Sequence, residues 1–369
     1  MVGAGPAGSA SAALLARSGL KVLLLEMRRF PRDKPCGGGL TLKTVRLLEE
    51  FGFHQSELPI QRLLDRVLVR GWGRSVEVFH NPWVIATVDR ADFDASLVHW
   101  AEAEGAEFLD GEPAIGVSTG GEGLVVRTRR NAYSADWVIG ADGVAGSVGR
   151  WVGLRSGYPP GELIAAVESR PSGGYDVALF QMDAVPRGGY GWAFPLSGRV
   201  NVGVGGMLPL MENLKGHLER YVRSLGLRLD TPVEYGVIPI GRSRRLASGR
   251  VLLVGDAAGL ADPLTGEGIY QALVSARAAS QAILSGDPGL YERLLGPLLQ
   301  DLELRAKAAN VVLPRMKRFY DYMASDPEIA RRYTLANVGE LEFREFWRWV
   351  WTRVPLAVAK RLASRLGRR

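Results

Sequence analysis

A glycine-rich stretch at the start of the chain, Gly3–Gly8, has the residue types and spacing needed to bind a nucleotide. It reads G-x-G-x-x-G and runs into a helical pattern over 9–18, which ends at Gly19; an apolar run over 21–25 then stops at Glu26. In such a unit the glycines let the backbone approach a pyrophosphate at the helix N-terminus, and the acid meets a ribose hydroxyl. A turn that serves packing alone would not need the acid. The stretch therefore predicts nucleotide binding.

Three consecutive glycines follow the only cysteine of the chain, in the segment Cys36-Gly37-Gly38-Gly39. Glycine runs mark backbone that must lie close to a flat or bulky group. Because this segment comes soon after the nucleotide-binding strand, we favour contact with a cofactor over a flexible loop. The thiol beside a cofactor could donate a proton or modulate the ring, or it could be a small packing residue.

Two later apolar strands also end in glycine and an acid. The first ends in Gly-Ala-Asp-Gly over 140–143 and leads into an expected helix, which would repeat the phosphate-binding geometry. The second ends at Gly255-Asp256, and Gly266-Glu267-Gly268 then precedes a helical pattern over 270–284. Asp256 is placed to accept from a cofactor hydroxyl, and the helix N-terminus offers free N–H groups. A turn role for Asp256 is the alternative.

Arg90 begins a helical pattern that runs to about Glu104, where Asp89 or Asp92 can act as the N-cap. Its side chain could donate to a phosphate or to a cofactor edge. It could equally form a surface salt bridge. Both alternatives stay open at the level of sequence.

Tyr190, Trp192 and Phe194 alternate along a predicted strand. Their side chains therefore point to one face, since the side-chain period of a strand is two. The small residues Gly191 and Ala193 on the other face let a neighbour approach closely. An aromatic face of this kind predicts an apolar slot, with an ordinary core strand as the alternative.

Composition excludes several classes of protein. With 369 residues, 47% of them hydrophobic, the chain is long enough for two domains. One cysteine cannot form an intrachain disulfide or a four-cysteine cluster, and the four histidines lack metal-ligand spacing, so no metal site is expected. No apolar run reaches the roughly 18 residues of a membrane span. The motif at Met1 leaves no room for a signal peptide and favours the cytoplasm, and the first strand, only Met1 and Val2, looks truncated.

The net charge of +7 is concentrated in residues 343–369, which contain eight basic residues and one acidic residue. Aromatic residues lie among these charges, a mixture that suits the headgroup region of a bilayer. Pro355 is expected to break the first helix, and 356–366 continues as a second amphipathic piece. Contact with the inner membrane face and packing on the rest of the protein are both open. Nucleic acid is not expected, because the remainder of the chain is balanced in charge.

Together the motifs at Gly3–Gly8, 141–143, Gly255-Asp256 and 266–268 resemble those of FAD-dependent oxidoreductases of the para-hydroxybenzoate hydroxylase type. The resemblance covers about residues 1–285, and the motifs come in order at domain-scale spacing. It implies an α/β fold in which a Rossmann-like FAD-binding domain carries an inserted antiparallel or mixed β-sheet substrate domain and a C-terminal helical region. The boundaries expected are 1–60, 88–150 and 248–290 for the FAD-binding domain, 61–87 and 151–247 for the substrate domain, and 291–369 for the helical region.

Two stretches narrow the resemblance to the geranylgeranyl reductase family. The segment 34–40 resembles its C-x-G-G motif, and 190–195 resembles its Y-x-W-x-F-P substrate motif. The proline usually found three residues before the tyrosine is displaced to Pro186, with Arg187 in its place. Substrate contacts are thereby expected at Tyr190, Trp192, Phe194 and Pro195.

The motifs and the resemblance together imply a set of FAD contacts. Glu26 would bind ribose, Ala114 would lie beside the adenine, and Asp256 would face the ribityl chain. The expected contacts are Gly3, Gly5, Ala7, Gly8, Glu26, Cys36, Gly37, Gly39, Arg90, Ala114, Asp256, Gly266, Gly268 and Ile269.

The resemblance implies reduction of isolated carbon–carbon double bonds in a polyprenyl chain, by hydride transfer from N5 of the reduced flavin. An unactivated alkene also needs a proton on the opposite carbon, so Cys36 and Tyr190 are the candidate catalytic residues. The external reductant is NADPH or ferredoxin. The alternatives are a flavin monooxygenase or halogenase on the same fold, and a flavoprotein that passes electrons to quinone. Menaquinone tails, geranylgeranyl diphosphate, carotenoid precursors and archaeal-type glycerolipids all suit an apolar slot.

Overall fold

The computed structural model describes residues 1–120, 123–241 and 245–353. Its strands are short and are distributed along the first two thirds of the chain. They are β1 Leu23–Leu25, β2 Gly39–Thr41, β3 Ile60–Leu64, β4 Arg66–Gly71, β5 Arg74–Phe79, β6 Ile85–Val88, β7 Glu107–Leu109, β8 Ala114–Gly120, β9 Gly123–Thr128, β10 Ala132–Ala135, β11 Val138–Gly140, β12 Leu163–Ser169, β13 Ala178–Gln181, β14 Gly189–Pro195, β15 Val200–Met207, β16 Glu234–Pro239, β17 Ala247–Ser248 and β18 Val251–Leu253.

Helices flank the strands and dominate the last part of the chain. They are α1 Pro6–Arg17, α2 Leu42–Glu50, α3 Arg90–Ala103, α4 Val148–Trp151, α5 Leu214–Ser224, α6 Ile269–Ser285, α7 Pro288–Val312, α8 Met316–Met323, α9 Pro327–Val338 and α10 over 343–353. None of them, within the described residues, is long and apolar enough to cross a membrane.

A parallel sheet lies at the centre of the nucleotide-binding half. β1 pairs with β7 and β11 pairs with β18, and Val2 forms parallel bridges to both Leu25 and Gly140. Val2 thus joins the two pairs into one layer. The small residues of α1, such as Ala10 and Ala13, are fully buried and let α1 pack closely on α3 and α6. The predicted α/β fold with a Rossmann-like domain and C-terminal helices is confirmed.

A seven-stranded mixed sheet forms the second layer, in the order β16-β12-β15-β14-β13-β4-β5. All of its strands come from the two ranges 61–87 and 151–247. β13 and β4 join in parallel, whereas the other pairs are antiparallel. One face packs on α5 through a core that includes Val202 and Leu218. The domain boundaries given above stay a prediction.

The sequence predicts strands at 67–69, 76–79 and 84–88 that form one antiparallel patch, but the last of them does not belong to this sheet. It forms β6, which pairs with β2 and β3 in a separate three-stranded sheet. The expectation that it would extend the patch of β4 and β5 is therefore wrong. Because β2 carries Gly39, β6 instead anchors the end of the cysteine segment, and Val88 N–H donates to Gly38 O at 2.9 Å.

α10 packs inward with most of its aromatic face. Phe343, Phe346 and Val350 are buried in a core shared with β5, α8 and α9. Trp351 is 51% exposed. Residues 343–350 therefore pack on the rest of the protein. Contact with a membrane surface stays a prediction for Trp351 and the residues after it. The break at Pro355 and the amphipathic piece over 356–366 lie outside the described residues.

Candidate functional site

One cavity of about 970 Å³ runs from the glycine turn before α1 to the C-terminal helices. Its first half is lined by polar backbone and charged side chains. Its second half is apolar. The segment Cys36–Gly39 and the aromatic residues of β14 also line this cavity. Most residues that the sequence singles out line this single cavity.

The glycine turn forms one end of the cavity. Gly3 has φ +102°, and a Cβ there would overlap the carbonyl oxygen of Ala141, so the turn admits only glycine. Gly5 is the N-cap of α1 and offers no side chain to its free N–H groups. Gly5 and Ala7 line the cavity, whereas a Cβ at Gly8 would overlap the Gly3 carbonyl. Gly8 therefore packs α1 onto the turn and does not line the cavity.

Glu26 lies at the carboxyl end of β1, beside this turn, and is buried. Its carboxylate accepts from Ala4 N–H at 3.1 Å and from Arg28 N–H at 2.9 Å, and Arg32 Nε lies 3.6 Å away. These contacts hold the Glu26 side chain at the cavity wall. Ala114 lines the same end of the cavity.

The second glycine-and-acid motif differs from the expectation. The Asp142 carboxylate accepts from Ser147 N–H and, at 2.8 Å, from Val148 N–H, which are the first donors of the four-residue helix α4. Burial raises the pKa of this carboxyl. Since the acid occupies the donors, α4 does not repeat the phosphate-binding geometry. The prediction was wrong because a glycine-and-acid turn also suits self-capping.

The third motif lines the cavity through Asp256, Gly266, Gly268 and Ile269. Gly268 is the N-cap of α6 and leaves the first N–H groups of that 17-residue helix without a side-chain cap. The Asp256 carboxylate is 3.2 Å from Lys34 Nζ. An acid, a cation and a helix N-terminus therefore converge at one place.

Arg90 forms an ion pair, but in the interior rather than at the surface. It is 4% exposed, its partner Asp94 is fully buried, and Arg32 Nη1 contacts the same carboxylate at 2.8 Å. Burial opposes the charge, yet Asp94 and the sulfur of Cys36 raise the pKa of Arg90 above its usual value. A permanent cation thus lies against the only thiol of the chain.

The cysteine segment lies flat on the aromatic strand. A Cβ at Gly37 would be 3.0 Å from Trp192 Nε1, and one at Gly39 would be 3.0 Å from the Phe194 ring. Gly38, at φ +71°, has no room for a Cβ beside Val88 O. Larger residues would push the segment away from β14.

The aromatic strand β14 shows the alternation that the sequence predicts. Tyr190, Trp192 and Phe194 all line the cavity, and Phe180 of β13 packs against Phe194 with ring centroids 5.3 Å apart. Pro195 does not line the cavity. Its carbonyl accepts from Thr87 Oγ1 at 2.7 Å, which ties β14 to β6. This bond gives Pro195 a structural role, and the substrate contact expected there stays a prediction.

The Tyr190 hydroxyl donates to the carbonyl of Thr265, in the loop between the third motif's strand and α6. Burial raises the pKa of this phenol well above its usual range. The phenol is therefore neutral at physiological pH.

The apolar half of the cavity was not found from the sequence. Each of the four helices α7 to α10 contributes residues to the lining of this half of the cavity. None of these residues, within the described part of the chain, is charged. The lining residues of α8 are spaced at i, i+3, i+4 and i+7, and this amphipathic pattern is the sequence feature that could have predicted an apolar face. The lining residues of the four helices are Val312, Met316, Phe319, Tyr320, Met323, Ala330, Tyr333, Thr334, Asn337, Val338, Phe346 and Trp347.

Comparisons with known proteins agree with this geometry. A family model described as an FAD binding domain matches residues 1–166, and one described as a lycopene cyclase protein matches residues 204–314. The menaquinone reductase of Mycobacterium tuberculosis is 33% identical, with 92% of this chain and 88% of that protein covered. The digeranylgeranylglycerophospholipid reductase of Thermoplasma volcanium is 30% identical, with 86% and 87% covered.

A solved structure extends the similarity to three dimensions. The crystal structure of a geranylgeranyl bacteriochlorophyll reductase-like protein from Thermoplasma acidophilum superimposes with a TM-score of 0.75 at 27% identity. It covers 84% of this chain and 85% of that one. Since the two relatives and this structure each cover more than four fifths of the chain, the similarity is not confined to the nucleotide-binding half.

Proposed function

The chain belongs to the geranylgeranyl reductase family of FAD-dependent oxidoreductases, and on that premise we propose that it saturates carbon–carbon double bonds of a polyprenyl chain. The observation that carries the proposal is the continuity of the cavity. One end has the glycine turn and acids that suit FAD, and the other end is a charge-free apolar chamber. Cys36 and the aromatic face of β14 line the same cavity.

The residues at the polar end fit FAD. The uncapped first turn of α1 suits a pyrophosphate, and Glu26 suits a ribose. Asp256 and the N-terminus of α6 suit the ribityl chain and the pyrimidine edge of the flavin. Bound FAD, once reduced, supplies a hydride.

The chain's own residues must hold the alkene, exclude water and deliver a proton. Saturation adds a hydride to one alkene carbon and a proton to the other, so the two transfers balance. The aromatic slot of Tyr190, Trp192 and Phe194 would hold and orient the alkene and exclude water from it.

Cys36 is the proton donor that the contacts favour. Its thiol lines the cavity next to the guanidinium of Arg90, so the anion left when the thiol gives up its proton would lie beside a cation. Tyr190 is the less favourable donor, because its proton is committed to the Thr265 carbonyl and its phenolate would be buried. Proton delivery by Cys36 is therefore part of the proposal.

The chamber also limits how the lipid enters. The residues that α7 to α10 contribute offer no charge to a phosphate, and burying an unpaired phosphate is costly. A polyprenyl tail therefore occupies the chamber, and a charged headgroup stays outside it. NADPH and ferredoxin stay as the proposed electron donors.

A mass measurement tests the proposal. FAD-loaded protein is reduced with dithionite without oxygen and incubated with geranylgeranyl diphosphate, a menaquinone or a digeranylgeranyl glycerolipid. We expect at least one lipid to gain about 2 Da per double bond, because the flavin carries two electrons. Oxidised protein serves as the control. No gain with any of the three lipids, or an oxygenated product in air, would contradict it.

A further inference from the structure

We propose that Asn201 is a positioning residue that locks Cys36 and Trp192 into one fixed arrangement. The inference rests on the proposed function for its catalytic meaning but on the contacts alone for its geometry. Asn201 lies in β15, next to β14, and is 2% exposed. It belongs to none of the motifs that the sequence analysis describes.

The Asn201 amide connects the two segments directly. Its Nδ2 donates to the carbonyl of Cys36 at 3.0 Å, and its Oδ1 accepts from Trp192 Nε1 at 2.8 Å. One side chain therefore fixes both the peptide that carries the thiol and the indole that lines the slot. A shift of either segment breaks one of these bonds.

A buried acid completes the arrangement. Glu168, 3% exposed on β12, accepts from Cys36 N–H at 2.9 Å and from Asn201 Nδ2 at 3.3 Å. Both the N–H and the carbonyl of Cys36 are thus held, by two side chains that also contact each other. Arg170 Nη2, 3.4 Å from the same carboxylate oxygen, balances the charge of Glu168.

The neighbours of Asn201 along β15 indicate that its amide group serves these contacts. Alternate residues of β15 share the face on which the Trp192 ring lies, and these are Asn201, Gly203 and Gly205. The residues between them, Val202 and Val204, are fully buried in an apolar core on the other face. Gly203 leaves room for the Trp192 ring, since a Cβ there would overlap it. A buried amide costs free energy unless it is hydrogen-bonded, and here its bonds go to Cys36, Trp192 and Glu168.

The test uses the fact that the chain has only one cysteine. Alkylation of FAD-loaded, folded protein by iodoacetamide, followed by intact mass, reports Cys36 alone. We expect Asn201→Leu, which removes all of these bonds at similar volume, to raise the alkylation rate about tenfold, the factor expected when buried hydrogen bonds that hold a segment are lost. Trp192→Phe, which removes only the indole donor, should give a smaller rise.

Ser169→Ala is the matched control. Ser169 is buried on the same strand as Glu168, but its hydroxyl bonds to Thr231 and not to the cysteine segment. It should lose stability without a change in alkylation rate. With a lipid substrate that the wild-type protein reduces, we expect Asn201→Leu to lower kcat by a larger factor than it raises KM.

The alkylation result is independent of any lipid. If no polyprenyl substrate is found, faster alkylation of Asn201→Leu still supports the positioning role, and the proposed function fails alone. The inference would be overturned if the alkylation rates of Asn201→Leu, Trp192→Phe and Ser169→Ala agreed within about twofold. The loss of one buried hydrogen bond is expected to change the rate by more than that. Should Asn201→Leu fail to fold, Trp192→Phe against Ser169→Ala decides the question.

Discussion

Arg90 and Asp94 meet inside the protein in two parallel contacts, Nε to Oδ1 at 3.0 Å and Nη2 to Oδ2 at 2.9 Å. Arg32 approaches the same carboxylate and also lies 3.6 Å from Glu26, so two buried acids balance the two cations. The geometry is that of a bidentate charge-assisted pair. It fixes the guanidinium beside Cys36 and in the cavity wall.

Asp94→Asn should therefore be strongly destabilising. The amide cannot balance the charges of Arg90 and Arg32, and removing one partner of a buried pair costs about 3 to 5 kcal/mol of unfolding free energy. Urea denaturation of the FAD-loaded protein measures the loss. Asp176→Asn is the control, since Asp176 pairs with Arg62 at the surface and is 83% exposed, and it should change little. Equal losses in the two variants would refute this prediction.

Gly203→Ala should displace the Trp192 ring, which occupies the position that the new Cβ would take. Overpacking of this kind costs about 1 to 3 kcal/mol of stability. We expect turnover of a polyprenyl lipid to fall with it, because the slot loses its shape. Gly116→Ala is the matched control, since a Cβ there meets nothing within 4 Å. A Gly203→Ala enzyme with normal stability and turnover would show that the ring moves freely.

Cys36→Ala and Tyr190→Phe separate the two candidate proton donors. If Cys36 delivers the proton, its removal should lower kcat by about 10²-fold or more, the usual contribution of a positioned acid. Tyr190→Phe keeps the ring and should lower kcat less than about tenfold, as expected for one lost hydrogen bond. Single-turnover rates with reduced protein are the measurement. The opposite order would assign the proton to Tyr190.

Ala330→Phe should shorten the apolar chamber. Ala330 is buried on α9 and lines the cavity. A phenyl group at this position would occupy space that the far end of a long tail needs, so kcat/KM for a C20 chain should fall about tenfold, the effect of losing one or two buried methylenes' worth of contact. A C10 chain is the internal control and should be affected little. Equal losses for both lengths would place the tail elsewhere.

The stability contributed by Glu328 should depend on pH. Hydrogen bonds from Arg331 and Arg332 lower the pKa of Glu328 to about 2. Because this pKa lies below the ordinary value of about 4.3, the stabilisation is present above that value and is lost as the pH falls towards 2. Glu328→Gln should lower Tm by about 1 to 3 °C at pH 7, given its exposure, and the difference should vanish near pH 2. A difference that stays constant with pH would exclude this cause.

Local patterns predict the nucleotide-binding half well. The glycine turn, the apolar strand and Glu26 follow one another along 26 residues, so their spacing carries the geometry. The alternation of Tyr190, Trp192 and Phe194 is likewise local and is confirmed as one face on the cavity.

Features that depend on distant partners could not be predicted. The run 84–88 is apolar except for Thr87 and therefore gives no sign of which strand it pairs with. Asn201 contacts a residue 165 positions away, and nothing near it in sequence distinguishes it from a surface asparagine. The prediction that the turn at Asp142 repeats the phosphate-binding geometry was wrong because such a turn can either bind an anion or cap its own helix. Only the hydrogen bonds in the structure distinguish the two roles.

The two ends of the cavity are encoded far apart in the chain. The turn at Gly3–Gly8 and the acids at Glu26 and Asp256 lie before residue 270, whereas one wall of the chamber comes from residues after 311. Mutations in the late helices can therefore reshape what fits inside while the redox machinery stays untouched. Chemistry and lipid preference are in this way free to diverge separately among proteins built on this plan.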